Sequence, residues 1–124
     1  MSIVLLVDDD PMQALVRKSL LESRFRTVLR AADASEALCM MEKPQFASQV
    51  GLVISGLRMP GLGGPAFAAE LHARVPEVPI LVLETQGESA APAFGPWVRF
   101  LGKPFAPDEM LAVATQMLAA SAHT

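Results

Sequence analysis

The sequence predicts an α/β domain on a doubly wound, five-stranded parallel sheet of strand order 2-1-3-4-5, with helices on both faces. Three observations predict it. Short apolar runs, several rich in β-branched residues, alternate with segments whose apolar residues recur at helical spacing. The runs stop abruptly in aspartate, glycine or glutamate, as buried parallel strands do when they deliver residues to the carboxyl edge of a sheet. The chain has 124 residues and is 52% hydrophobic, which suits one domain with its own core. Once the alternation is accepted, right-handed crossovers restrict the strand order.

The first run, Ile3-Val4-Leu5-Leu6-Val7, ends in Asp8-Asp9-Asp10. Pro11 suits the first turn of a helix, where its missing N–H is not needed. Met12, Leu15, Val16 and Leu20 then repeat at helical spacing and predict a helix to about Ser23 with those four as its apolar face. Thr27-Val28-Leu29 reads as a shorter second strand. Asp33 and Glu36 have the spacing of a capping box, opening a helix through Ala37, Leu38 and Met41 that must end before Pro44. Val50 to Ser55 is the third strand. Gly61, Gly63 and Gly64 predict a flexible loop, and Pro65 starts a helix carrying Phe67 and Leu71. Pro76 and Pro79 bracket a turn before the fourth strand, Ile80 to Leu83, which ends at Glu84. Val98 to Leu101 is a short fifth strand. Asp108 and Glu109 favour the first turn of a last helix, whose apolar positions include Leu111, Ala114 and Leu118. The fourth crossover is the exception: Glu88 to Pro96 contains Pro92, Gly95 and Pro96 and leaves room for at most two helical turns. One domain over 1–120 and a frayed tail over 121–124 complete the expectation.

A formal charge of -3 and scattered basic residues give no electrostatic reason to expect nucleic acid. Arg24, Arg26 and Arg30 read as a solvated helix end and strand rather than a binding patch. Cys39 is the only cysteine, so no internal disulfide is available, and its apolar helical setting makes it a small buried hydrophobe. Met40, Met41, Met110 and Met117 are read mainly as core. No zinc or iron–sulfur spacing occurs. The chain opens without a signal-peptide pattern and has no run long enough to span a bilayer, so a cytoplasmic location without membrane contact is expected.

In such sheets the carboxyl ends of the strands converge on one crevice. Here they supply Asp8, Asp9 and Asp10, then Gly56, Glu84 and Lys103. Adjacent carboxylates stay ionised together only beside a cation. Mg²⁺ is the usual one for oxygen ligands, and Lys103 offers a second. Asp10 fits a helix cap.

These blocks, in this order and at these spacings, resemble the receiver domain of two-component response regulators over almost the whole chain. VLLVDDDP (4–11) is similar to the family's first strand and acidic pair, which puts Asp8 and Asp9 in the magnesium-binding places. LVISGLRMPGLGG (52–64) is similar to the strand and loop that carry the phosphoacceptor. PILVLE (79–84) is similar to the strand ending in the switch hydroxyl. FLGKPF (100–105) is similar to the segment with the switch aromatic, the lysine and the following proline, here Phe100, Lys103 and Pro104. The resemblance implies a flavodoxin-like fold, a cis peptide between Lys103 and Pro104, and a signalling rather than an enzymatic role.

The departures shape the functional expectation. The acceptor aspartate is replaced by Gly56, which has no nucleophile, and Ser55 must point to the other face of the strand. The switch hydroxyl is replaced by Glu84, and Thr85 should face elsewhere. Gly56 alone would fit an engineered change; Glu84 and the remodelled fourth crossover together point to natural divergence. The reading is a degenerate receiver with no catalytic residue, not phosphorylated on aspartate. It would act through protein contact on the last helix, the fifth strand and the fourth crossover, with a histidine kinase or a second copy of the chain among its candidate partners. With one ligand lost at position 56, Mg²⁺ binding at Asp8 and Asp9 should be weak or absent, and should recover in Gly56→Asp. Lys103 needs a carboxylate, from Asp8 or Asp9 or, in a sharper hypothesis, from Glu84 within about 4 Å as a fixed charge in place of a phosphoryl group.

Two alternatives stand beside this reading. One is a magnesium-dependent phosphotransferase of the haloacid dehalogenase type, using Asp8 and Asp10 as its two-apart pair and Ser55 and Lys103 as later motifs. The chain lacks the acidic metal motif and the cap that such enzymes carry. The other keeps phosphorylation, on Asp8, Asp9 or Asp10 as a surrogate acceptor.

Overall fold

The chain runs β1 (Ile3–Val7), α1 (Pro11–Glu22), β2 (Thr27–Ala31), α2 (Ala34–Met41), α3 (Pro44–Ala47), β3 (Val50–Gly56), α4 (Gly64–Arg74), β4 (Ile80–Glu84), β5 (Val98–Gly102) and α5 (Pro107–Ala122). This computed structural model describes residues 2–56, 64–84, 98–102 and 106–122, the side chains of 64, 65, 84 and 120–122 excepted. All four strand pairings are parallel, and the order is β2-β1-β3-β4-β5, as the sequence predicts. The fourth crossover, the loop glycines Gly61 and Gly63, the Lys103-Pro104 peptide, and His123 and Thr124 of the expected tail lie outside the described residues.

Alternation along the strands divides the core in two. Leu5, Val7, Val53, Ile80 and Val82 face α2 and α4, where Ala34, Ala37, Met41, Phe67, Ala68 and Leu71 cover them. Val4, Leu6, Leu52, Ile54, Leu81 and Leu83 face α1 and α5, under Ala14, Leu21, Met110, Leu111, Ala114 and Met117. Both faces are buried, so these strands read as continuous apolar runs rather than as alternating ones. Met41, Met110 and Met117 are core, as expected, and Met40 packs against it.

The elements start where local chemistry starts them. Asp33 caps α2, its carboxylate accepting from the Glu36 N–H at 2.8 Å, while Glu36 reaches back to the Ala32 N–H at 2.9 Å. The reciprocal bond of the capping box therefore lands one residue earlier than the ideal. Pro44 ends α2 as predicted but also opens α3, a single turn that the sequence reading left out.

Three details correct the sequence. Cys39 is exposed, not buried. β2 continues to Ala31, two residues past Thr27-Val28-Leu29, and Arg30 within it is partly buried rather than solvated. The face of α1 is the third: Met12, Leu15 and Val16 are 71%, 62% and 58% exposed, and the buried residues are Ala14, Arg17 and Leu21. Leu20 is only partly buried against the core. The helix enters from a strand end three residues away and is capped by Asp10, and that short connection fixes which side meets the sheet. β3 carries a further feature. The register steps from Ile3↔Val50 to Val4↔Leu52, so Gly51 is the extra residue of a bulge. A Cβ there would lie 2.6 Å from Leu118 Cδ2 and 2.7 Å from Ser2 Cβ, which is why glycine suits the position.

Candidate functional site

The site is built around Asp8. Asp8 follows β1 directly and extends its ladder by one bond, donating its N–H to the Ala31 carbonyl at 3.1 Å. The chain then turns into α1. Asp8 Oδ1 accepts from the Asp10 N–H at 3.0 Å, a turn that aspartate forms readily. Asp10 caps the helix, its Oδ1 accepting from the N–H groups of Met12 and Gln13 at 3.0 and 3.1 Å. Asp9, between them, is exposed.

Two arginines complete the corner. Arg17 Nη1 donates to Asp8 Oδ2 at 3.0 Å, with the two side chains only 9% and 4% exposed. Helical side chains lean toward the helix N-terminus, so a long cation two turns into α1 can reach back to the strand end. Arg30 on β2 sends Nε and Nη2 to the carbonyl oxygen of Asp8 at 3.1 and 2.8 Å. Asp8 thus has each carboxylate oxygen and its backbone carbonyl engaged. A guanidinium suits such a buried pair better than an ammonium, being planar and less strongly hydrated. Neither arginine was singled out from the sequence as part of the site. Arg30 reads from the sequence only as part of a solvated helix end and strand.

Gly56 ends β3, half-buried. Val7 pairs with Ser55, so Gly56 stands one step further along, level with Asp8 on the adjacent strand. By alternation position 56 shares the face of Ile54, the side of the sheet covered by α1 and α5 and the side on which Asp8 meets Arg17. Ser55 is buried and belongs to the alternate face, as predicted. The structure thus brings Asp8, Asp9 and Gly56 to neighbouring strand ends. Phe100 on β5 pairs with Val82 and packs, partly buried, on the α2/α4 side of the sheet. Glu84 ends β4 opposite Gly102. Its side chain, like Lys103 and Pro104, lies outside the described residues, and so do the expected Glu84–Lys103 contact and the cis peptide.

Among the described residues no group of three His, Cys, Asp or Glu is placed to hold a metal ion. Asp10 is spent on its helix and Asp8 on Arg17, an arrangement that does not suit the two-apart carboxylate pair of a haloacid dehalogenase-type enzyme. No described helix is long and apolar enough to cross a membrane. A shallow groove of about 530 Å³, lined by Met41, Glu42, Pro44, Ala47, Arg74 and Val75, lies at the opposite edge of the sheet, where α2 and α4 lead back into β3 and β4.

Comparison with known proteins agrees with this geometry. Residues 4–115 match the family model of the response regulator receiver domain. The chain is 33% identical over 122 residues to the sensor kinase CckA of Brucella abortus, covering 93% of this chain and 12% of that protein. It is 34% identical over 122 residues to the response regulator Rre1 of Synechocystis, covering 94% of this chain and 51% of that protein. The chain therefore spans about half the length, or less, of these relatives. Among solved structures, the receiver domain of NtrX from Brucella abortus superposes with a TM-score of 0.80 at 27% identity, over 94% of this chain and 98% of that one. A sheet of order β2-β1-β3-β4-β5, an acidic corner after β1 and a family match over nearly the whole length lead to one conclusion: the chain belongs to the response regulator receiver domain family.

Proposed function

We propose that this chain is a degenerate receiver, a signalling module of two-component systems that is not phosphorylated on aspartate and works through protein contact. The observation that carries the reading is Gly56. It occupies the acceptor's place by resemblance, at the end of β3 and level with Asp8, and it offers no nucleophile. Asp8, Asp9, Glu84, Phe100, Lys103 and Pro104 are then inherited parts of the switch, acting without a phosphoryl group. The corresponding location is the cytoplasm, where two-component signalling is completed.

The proposed contact surface joins α5 to the fifth strand and the fourth crossover. β5 is the edge of the sheet beside β4, and α5 carries acidic residues only in its first turn, Asp108 and Glu109. A histidine kinase is one fitting partner, as for receiver domains generally. A second copy of the chain is the other.

Incubation with a small acyl phosphate followed by intact-mass measurement tests the reading. The expected result is no added phosphoryl group in the parent protein. Asp8 is buried against Arg17 and Asp10 is committed to the α1 cap, so the surrogate-acceptor alternative requires a mass gain that disappears when the exposed Asp9 is changed, in Asp9→Asn.

A further inference from the structure

The metal site that the family resemblance implies does not fit the residues of this corner. Mg²⁺ demands near-octahedral oxygen coordination and gives up its water reluctantly. Position 56 supplies no carboxylate, and Asp10 is committed to the α1 cap. Asp8 holds Asp10 N–H on one oxygen and Arg17 Nη1 on the other, and Arg30 forks onto its carbonyl. Two guanidinium groups at one aspartate also repel a divalent cation.

We propose that Arg17 is the resident cation of the acidic corner, a side chain standing where the rest of the family's pattern calls for Mg²⁺, so that metal is excluded rather than merely weakly bound. The motivating observation is a buried arginine on the sheet-facing side of α1, paired with a buried aspartate, while three apolar residues of the same helix face outward. Removing two charges from water is costly unless they pair, and Asp8 and Arg17 pair with each other. The Asp8 carboxylate is therefore neutralised without a ligand. One consequence differs from the expectation drawn from the sequence. Restoring the aspartate in Gly56→Asp does not by itself recover Mg²⁺ binding, because Arg17 remains in place.

The test uses the full chain and MgCl₂ against NaCl of matched ionic strength, with neither phosphodonor nor partner present. A failure here thus leaves the phosphorylation reading untouched, and the reverse. Calorimetry and Tm are measured on the parent, Gly56→Asp, Gly56→Asp/Arg17→Gln and Gly56→Asp/Arg17→Lys. The parent, Gly56→Asp and the lysine variant should show no Mg²⁺-specific change. Gly56→Asp/Arg17→Gln should bind Mg²⁺ at least about tenfold more tightly than Gly56→Asp, with a Tm gain of roughly 3 °C or more. Tight Mg²⁺ binding by the parent, or binding by Gly56→Asp equal to that of the glutamine double variant, overturns the proposal. Mg²⁺-specific binding by the parent or by Gly56→Asp overturns it without any comparison, since both keep Arg17, so the proposal stays open to refutation even where the glutamine variant does not fold.

Discussion

Asp8 and Arg17 form the pair on which the corner depends, and its energetics are asymmetric. Breaking a buried ion pair strands one charge, whereas replacing both partners with apolar groups of similar size can be nearly neutral. Arg17→Leu should therefore lower the unfolding free energy by about 3–5 kcal/mol, and Asp8→Leu/Arg17→Leu should recover most of that loss. Urea titrations of the two single variants and the double close the cycle. A double variant as unstable as the sum of the singles would mean that the pair is not coupled. Asp8, Asp9 and Gly56 were legible in the sequence because strand ends in parallel sheets are predictable places. Arg17 and Arg30 were not. A cation nine residues after an aspartate has no signature until the rotation of its helix is known, and Arg30 required β2 to run two residues further than Thr27-Val28-Leu29 suggested.

At the scale of elements, α1 teaches the most. Its apolar stripe of Met12, Leu15 and Val16 has helical period, and period alone correctly announces a helix. It does not announce phase. The cap at Asp10 and the short connection from β1 set the phase, and they turn Ala14, Arg17 and Leu21 inward. Leu15→Ser should consequently change stability by less than about 0.5 kcal/mol, while Leu21→Ala should cost about 2–5 kcal/mol. Equal losses in the two variants would restore the stripe to the core. The cap itself is a third check: Asp10→Ala should cost about 1 kcal/mol through two freed N–H groups at the start of α1. The bulge at Gly51 was invisible in sequence, since a glycine inside an apolar run can equally be an ordinary strand residue. Gly51→Ala should destabilise by about 1–3 kcal/mol, because Leu118 and Ser2 stand where the methyl group must go.

For the molecule as a whole, the fold was legible because every level agreed: alternation of elements, proline and aspartate at helix starts, and apolar runs buried on both faces. The site was half legible, in its carboxylates and in the glycine at position 56 but not in Arg17 and Arg30. On the proposed reading the receiver is held in one state, with Arg17 standing in place of metal at Asp8. The most direct test is a pair of amide NMR spectra of the parent protein, with and without Mg²⁺ plus an acyl phosphate. Superposable resonances for Asp8, Gly56, Val82 and Phe100 are the predicted result. Specific shifts spreading from Gly56 through β4 to Phe100, absent with NaCl alone, would show a working switch and contradict it.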